Sequence, residues 1–283
     1  MESRSRLAFL ITPPALWILV LFILPLGIMV LYTFRGGSFG AESNTYTLDN
    51  YREYFSNTSF QRLLLQSSLL AFETALLSVV FSYPLGYFLS FYAGPRKLIL
   101  LTLLVLPAWT SYLLRILSWR ILLGSNGPLS SLLEMLGLVP ADTPVLLYSR
   151  TSVLITLVYV WIPFATLPIF SALERIDKRL LEASADLGSP GWMTFLRVTL
   201  PLSMPGVIAG FFFVFIPTLG EWVTPALVGG AQGVMYGNLI QDQFVRALNW
   251  PMGALMSLVM LLLVLIFSFT FTRMVRVTDI SGL

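Results

Sequence analysis

The sequence predicts an all-α membrane protein with six transmembrane helices. Of its 283 residues, 57% are hydrophobic and 11% are charged, whereas an ordinary soluble domain carries roughly a quarter charged residues. The mean hydropathy is +0.82, and apolar runs recur at about the 20-residue length that a bilayer core of roughly 30 Å requires. A soluble core cannot hold this many apolar side chains, so a bilayer is expected to be the main solvent.

Six apolar segments account for the hydrophobic excess, and each is long enough for a helix to cross the hydrocarbon core. The first follows two arginines but is too long for the apolar part of a secretory signal, so it is interpreted as a retained anchor. Gly206 and Gly210 form a GxxxG pair at the start of the fifth segment, which favours a helix-packing face. The six segments are 10–32, 69–92, 98–117, 152–172, 207–228 and 252–272.

The distribution of Lys and Arg predicts the orientation. Basic residues in short loops stay on the cytoplasmic side of a membrane. With six spans, one face carries ten Lys and Arg residues and the other carries seven over longer loops. Both termini are therefore expected to be cytoplasmic. Without a repeat or linker, the chain 1–283 is expected to form a single domain.

Composition excludes most catalytic and cofactor sites. The chain has no Cys and no His, which rules out a thiol nucleophile, a disulfide, an imidazole-based metal site and a histidine base. Neither lysine, Lys97 or Lys178, follows a glycine, so no P-loop is present. The net charge of +3 is small and scattered, which argues against nucleic-acid binding. We therefore expect no catalytic residue, no metal and no cofactor bound by this chain.

A short external helix is predicted after the third span. Gly127 precedes Pro128, and Pro is favoured at the first position of a helix. Apolar residues continue at helical spacing to Gly137, where the helix is expected to end. Two interpretations stay open: a simple interfacial helix, or a docking surface for an external partner.

The most informative loop lies between the fourth and fifth spans, at 173–205. Asp177 is placed to cap a first short helix, and Gly188 is placed to end it. Ser189 then caps a second short helix with Pro190 at its first position. The loop is on the predicted cytoplasmic side, so we expect a pair of helices there.

The first of these helices carries a surface suited to a partner. Ala183 and Ser184 have small side chains that another protein's groove can approach closely. Glu182 and Asp186 are four residues apart, which places both carboxylates on one helix face, where a basic partner can reach them.

This stretch resembles the EAA loop of the membrane subunits of ABC importers. Glu182, Ala183 and Gly188 match the family pattern, Ser184 replaces its second Ala, and Leu200-Pro201 supply the closing pair. The resemblance implies that the loop is the coupling helix, which sits in a cleft of the cytoplasmic ATPase subunit. Glu182, Ala183, Ser184, Asp186 and Gly188 are accordingly the predicted ATPase-coupling residues.

Further segments resemble the spermidine/putrescine permease branch of the family. This resemblance implies the type I ABC importer permease fold, a bacterial inner-membrane location, a second permease expected to be a related but distinct chain, two ATPase subunits that bind the ATP, and an external or periplasmic substrate-binding protein. Branches for sulfate, molybdate, iron and aminophosphonates share much of the pattern. The segments are Thr47-Leu48-Asp49-Asn50-Tyr51, Tyr83-Pro84-Leu85-Gly86-Tyr87, Ala185-Asp186-Leu187-Gly188, Gly220-Glu221, Thr224-Pro225, Gly229-Gly230 and Asn249-Trp250-Pro251.

Glu221 is the acidic residue placed deepest in a predicted span. A carboxylate at the centre of a membrane helix costs roughly 2.5–3.5 kcal/mol, so it needs a compensating partner. Pro217 and Gly220 precede it, and an irregular helix is expected where it lines a cavity. We predict that Glu221, with Trp222 beside it, contacts a cationic substrate. The alternative is a structural pair with a basic residue such as Arg115 or with the second permease.

Other residues at membrane depth extend this predicted pathway. Glu73 lies near the outer end of the second span, where a small shift places it among lipid headgroups instead. Aromatic rings attract ammonium groups by about 0.5–2 kcal/mol each, although plain packing or lipid contact also explains aromatic residues in a span. The aromatic members of the pathway are Trp109, Tyr112 and Trp161, with Tyr159 nearby.

The function predicted from these features is the uptake of a small polyamine by a permease subunit that forms half of an ATP-driven pathway. One alternative is another solute of the same importer class, such as an aminophosphonate or oxyanion, which would favour basic residues over Glu221. The other is a self-contained secondary transporter or an intramembrane enzyme. No internal repeat and no lysine within a span supports that class.

Overall fold

Helices make up nearly all of the computed structural model, which describes residues 2–37, 43–125, 127–137 and 146–280. A short antiparallel pair of strands, β1 (Arg35–Gly36) and β2 (Ser43–Tyr46), follows the second helix. The helices are α1 (Glu2–Ile18), α2 (Leu24–Tyr32), α3 (Asp49–Ser56), α4 (Thr58–Phe91), α5 (Lys97–Val105), α6 (Tyr112–Leu123), α7 (Pro128–Met135), α8 (Arg150–Glu174), α9 (Lys178–Asp186), α10 (Gly191–Thr194), α11 (Leu200–Leu219), α12 (Tyr236–Val245) and α13 (Trp250–Ile280).

Within the described residues, five continuous helical segments are long and apolar enough to cross a membrane. They overlap the first, second, fourth, fifth and sixth predicted spans. A sixth span results if the helices on either side of a bend at 110–111 count as one crossing. The five segments are Leu10–Tyr32, Thr58–Phe91, Arg150–Glu174, Gly191–Leu219 and Trp250–Phe271.

The third predicted span is not one straight helix. α5 ends in a tight turn at Leu106–Trp109, and the chain then bends by 87° before α6 begins. Thr110 and Ser111 have extended backbone conformations. Both the backbone N–H and the hydroxyl of Thr110 donate to the Pro107 carbonyl, at 3.2 and 2.7 Å. These bonds satisfy the polar groups that the break would otherwise leave without partners.

The chain divides into two compact units. One consists of Met1–Arg62 and Leu239–Leu283, and the other of Leu63–Asn238. In the first unit, the Asn50 side-chain amide donates to the carbonyls of Thr33 and Arg35, at 3.0 and 2.8 Å, and so fixes α3 to the end of α2.

The second unit contains every residue predicted to act in coupling or in the pathway. Its buried core comes from α4, α6, α8 and the segment between α11 and α12, and Tyr112 and Trp161 pack against its edge. The core residues are Leu70, Ile116, Val153, Leu157, Val228 and Met235.

The close contact between α8 and α11 depends on small residues. A Cβ atom on Gly206 would lie 2.4 Å from the Ala172 Cβ and 2.5 Å from the Pro168 carbonyl oxygen, and a Cβ on Gly210 would lie 3.1 Å from the Ala165 carbonyl oxygen. The prediction that the GxxxG pair forms a packing face is confirmed.

Replacing Gly206 with alanine is therefore expected to destabilise the chain by about 1–3 kcal/mol, the usual cost of overpacking. Gly27→Ala is the matched control, because a Cβ on Gly27 meets no atom within 4 Å. Thermal unfolding of the purified transporter in detergent measures the difference. Equal midpoints for the two variants would contradict the proposed packing.

The helix predicted after the third span is confirmed as α7, which has Pro128 in its first turn after Gly127. The chain leaves it at Gly137, which has φ +68°. The Ser130 hydroxyl is buried and donates to the Gly124 carbonyl at 2.7 Å. Whether α7 is interfacial or docks a partner stays a prediction.

Candidate functional site

α9 has the two termini that the sequence predicts. The Asp177 carboxylate accepts the Arg179 N–H at 3.0 Å and caps the start of the helix. At the other end Gly188 has φ +78°. The Ser189 N–H donates to the Ser184 carbonyl at 3.1 Å and the Gly188 N–H to the Ala185 carbonyl at 2.8 Å. This is a Schellman ending, in which glycine supplies the left-handed conformation.

The outer face of α9 is available to another protein. Leu180 is 48% exposed and Leu187 is 85% exposed. Glu182 and Asp186 are also exposed, and the structure gives neither carboxylate an ion pair with a described residue. α9 therefore presents apolar and acidic groups that the unit itself does not use.

The second helix of the loop differs from the prediction. It begins at Gly191 with Pro190 at the cap position, so the predicted cap by Ser189 is wrong by one residue. It also does not end after a short run. It continues through a wider π-helical turn, Phe195–Thr199, into α11. In that turn the Leu200 N–H donates to the Phe195 carbonyl, and this opens the helix just before Pro201, whose ring needs the space.

Side-chain contacts join this long helix to α9 and to α4. The Ser184 and Thr194 hydroxyls are 2.9 Å apart and link α9 to α10. The Tyr83 hydroxyl is 2.8 Å from the Ser203 hydroxyl and links α4 to α11. The Phe195 ring lies edge-on to Tyr83, with ring centroids 5.6 Å apart. α9 is thus attached to the long helix that leads to Glu221.

Glu221 lies in the break that follows α11. That helix ends at Leu219, with Gly220 at the cap position, which confirms the expected irregularity. One carboxylate oxygen, Oε1, accepts the backbone N–H groups of Val223 and Thr224 at 2.8 and 3.1 Å. The other, Oε2, accepts the Tyr112 hydroxyl at 2.6 Å. Three donors therefore compensate the negative charge of Glu221.

Two residues at the start of α12 contact the backbone around Glu221. The Asn238 side-chain amide donates to the Trp222 carbonyl at 2.7 Å. A Cβ on Gly237 would lie 2.6 Å from the Glu221 carbonyl oxygen, so only glycine fits there. These contacts fix the backbone that positions the Glu221 carboxylate.

Tyr112 is the first residue of α6, directly after the bend in the third span. Its hydroxyl lies 2.9 Å from that of Thr224, which is fully buried. The Arg115 guanidinium covers the Tyr112 ring at 5.7 Å from the centroid. The structure therefore places Tyr112, and not Arg115, in hydrogen-bond contact with the carboxylate.

The other predicted pathway residues are spread over the unit. Glu73 forms an ion pair with Arg150, 2.7 Å apart, with both side chains about half exposed. Trp161 packs against the core, and its buried Nε1 has no hydrogen-bond partner in the part of the chain that the structure describes. Trp109 is 81% exposed and Trp222 is 45% exposed. Of the predicted set, only Tyr112 is brought directly to Glu221.

A cleft of about 450 Å³ lies along the bent span, between α6 and α8. Arg115, Trp119 and Tyr159 line it, together with the hydroxyl-bearing residues Thr110 and Ser118. The guanidinium makes this cleft unfavourable for an ammonium group, since like charges repel. The negatively charged Glu221 carboxylate is electrostatically more favourable for a cation.

Sequence reasoning missed the roles of Thr224, Gly237 and Asn238. Helix caps are usually short polar side chains such as Ser or Asp, so Glu221 gave no sign of accepting the N–H groups that follow it. The Gly237-Asn238 pair was a usable signal, because such pairs mark special backbone conformations and close approaches.

Comparison with known proteins identifies a family and close relatives. The model of the family described as "Binding-protein-dependent transport system inner membrane component" matches residues 84–279. The chain is 37% identical over 242 residues to the spermidine/putrescine transport system permease protein PotB of Salmonella typhimurium (strain LT2), and the match covers 83% of each chain. It is 39% identical over 214 residues to PotB of Escherichia coli (strain K12), covering 75% of this chain and 77% of that one.

A solved structure shares the fold. The bacterial alginate ABC transporter, in complex with an alginate pentasaccharide-bound periplasmic protein, matches over 97% of this chain and 95% of that chain, with a TM-score of 0.74. The sequence identity is 14%, so this match bears on the fold alone. It confirms the predicted ABC importer permease fold.

Proposed function

Because the chain belongs to the family of inner membrane components of binding-protein-dependent transport systems, we propose that it forms half of the pathway by which an ATP-driven importer takes up a small polyamine. It is a multi-pass inner-membrane protein. The observation that carries the substrate class is the 37% identity to a spermidine/putrescine permease over 83% of both chains. Family membership argues against the secondary transporter and the intramembrane enzyme.

Glu221 supports a polyamine on chemical grounds. Three donors hold its carboxylate. The carboxylate lies at a break in the fifth span, where the regular helix ends and a ligand can approach. Ammonium groups bind carboxylates by charge-assisted hydrogen bonds, which are among the strong ones in proteins. In this proposal Glu221 binds one ammonium group, and Trp222, Tyr112 and Trp161 offer aromatic faces. Glu73 and Trp109 contribute nearer the ends of the pathway.

α9 is proposed to couple this pathway to ATP hydrolysis. Its exposed leucines and free carboxylates suit the groove of a cytoplasmic ATPase subunit with basic groups. The complete importer then has a second, related permease, two ATPase subunits that bind ATP, and an external or periplasmic binding protein. The chain itself performs no covalent chemistry and holds no cofactor.

One observation favours a second candidate substrate. Arg115 lines the 450 Å³ cleft, and a guanidinium suits a phosphonate or other oxyanion. Under this alternative, Arg115 binds the solute and Glu221 serves only to cap the helix that follows it.

Purification of the complex, with ligand binding to its binding protein, tests the proposal. We expect the solubilised chain to co-purify with a second permease and two ATPase subunits, and the binding protein to bind spermidine or putrescine. A stable, active chain without an ATPase subunit contradicts the importer. Binding of an aminophosphonate or sulfate, and not of a polyamine, supports the second candidate instead.

A further inference from the structure

We propose that the Tyr112 hydroxyl occupies the position on Glu221 at which a substrate ammonium group binds, and that the arriving cation displaces this hydroxyl. This inference rests on the proposed function, because it needs a cationic substrate. Tyr112 is then a positioning residue that sets the affinity of the site and keeps it closed while it is empty.

The geometry at Glu221 separates two tasks between its two oxygens. Oε1 accepts two backbone N–H groups, from Val223 and Thr224, that belong to the same chain segment. Those bonds are local and survive a movement of any other helix. Oε2 has one described partner, the Tyr112 hydroxyl at 2.6 Å, which comes from 109 residues away. Oε2 is therefore the oxygen that can exchange its donor without loss of the helix cap.

An ammonium group is a suitable replacement for this hydroxyl. Both donate a hydrogen bond to a carboxylate at similar distances, and the ammonium adds a full charge. Tyr112 keeps a second partner when it leaves Glu221, because the Thr224 hydroxyl lies 2.9 Å from its own. Thr224 is buried, so the pair of hydroxyls stays satisfied away from water.

Because of Arg115, the release of Tyr112 from Glu221 also favours the binding of a cation. Arg115 is on the same helix, three residues after Tyr112, and covers its ring. A guanidinium over the ring whose hydroxyl contacts Glu221 opposes the approach of a second positive charge. Because both residues belong to the first turn of α6, a small rotation of that turn, which moves the Tyr112 hydroxyl from Glu221 onto Thr224, displaces the guanidinium as well.

The bend before α6 is where such a movement can take place. Thr110 and Ser111 have extended backbone conformations between two helices that meet at 87°. A few residues between rigid elements are the usual form of a hinge. The bend is therefore placed directly beside the contact that would open.

Affinity measurements on the solubilised complex without its binding protein test this proposal. Tyr112→Phe removes the competing hydroxyl, and the dissociation constant for spermidine is expected to fall about tenfold, the effect of one hydrogen bond to a charged group. Thr224→Val removes the second partner of the hydroxyl, so it tests the pair by a different change. It is expected to raise the constant by about twofold to tenfold, the effect of one neutral hydrogen bond, because the displaced Tyr112 hydroxyl then has no second partner. Tyr92→Phe is the matched control. Tyr92 is 71% exposed and lies away from this site, on the short connection between α4 and α5.

A double variant distinguishes the proposed competition between Tyr112 and the cation from a purely structural role of Tyr112. In a Glu221→Gln background, Tyr112→Phe is expected to have no further effect on the dissociation constant. A constant that is unchanged or raised in Tyr112→Phe, at normal complex yield, overturns the proposal while the polyamine function stands. Weaker binding together with a lower yield also overturns it, because Tyr112 is then structural. If the wild-type complex neither binds nor transports spermidine or putrescine, the proposed function fails and this inference fails with it.

Discussion

Gly188→Val is expected to abolish ATP-driven uptake while the chain still inserts in the membrane at the wild-type level. Gly188 has φ +78° at the end of α9, a conformation that costs a residue with a Cβ roughly 1–2 kcal/mol, and more when it is β-branched. No atom lies within 4 Å of a Cβ at this position, so the cost comes from the backbone and not from a clash. The loss of this ending displaces the residues of α9 that are proposed to contact the ATPase subunit. Uptake, ATPase activity and membrane yield should be measured together.

Gly188→Asn is the matched control for this prediction. Asparagine is, after glycine, the residue that most readily adopts the left-handed conformation, so it should retain most of the activity.

Glu182→Ala tests the exposed surface of α9 itself. Its carboxylate is exposed, so the substitution should cost little folding stability and still weaken the coupling of ATP hydrolysis to uptake. Normal coupling in both Gly188→Val and Glu182→Ala would remove α9 from the ATPase interface.

Glu221→Gln is expected to lower polyamine uptake by tenfold or more at nearly normal complex yield. The Gln side-chain oxygen can still accept the N–H groups of Val223 and Thr224, so the helix cap is retained. The negative charge is lost, and a hydrogen bond to a charged group contributes about 1.5–3 kcal/mol, which corresponds to tenfold or more in affinity.

Glu221→Ala provides the comparison, because it removes the cap as well and should lower the yield by destabilising the segment after α11. Uptake is measured per amount of assembled complex. Full uptake by Glu221→Gln at normal yield would remove Glu221 from the pathway. Loss of uptake only in proportion to yield would assign it a purely structural role.

Hydrophobic pattern and turn chemistry predicted much of the fold. Apolar length alone located the spans, because the bilayer imposes it on every crossing segment. Asp177 and Gly188 predicted the ends of α9 because each acts through local backbone geometry. Local signals of this kind can be read from a few adjacent residues.

The bend of the third span and the contacts of Glu221 could not be predicted in the same way. The apolar run continues through Pro107, and proline is tolerated in membrane helices, so neither hydropathy nor proline indicated an 87° bend. The partner of Glu221 Oε2 is Tyr112, from another helix. Such a pairing depends on tertiary packing, which a single sequence does not encode in any local pattern.

Uptake into proteoliposomes shows directly whether this chain forms part of an ATP-driven polyamine importer. The assembled transporter, with its binding protein on the outside and ATP enclosed, is supplied with labelled spermidine or putrescine. We predict accumulation that requires both ATP and the binding protein and that falls at least tenfold in Glu221→Gln, the loss expected for one charge-assisted hydrogen bond. Uptake of an oxyanion but of neither polyamine, or polyamine uptake that continues without ATP, would contradict the account.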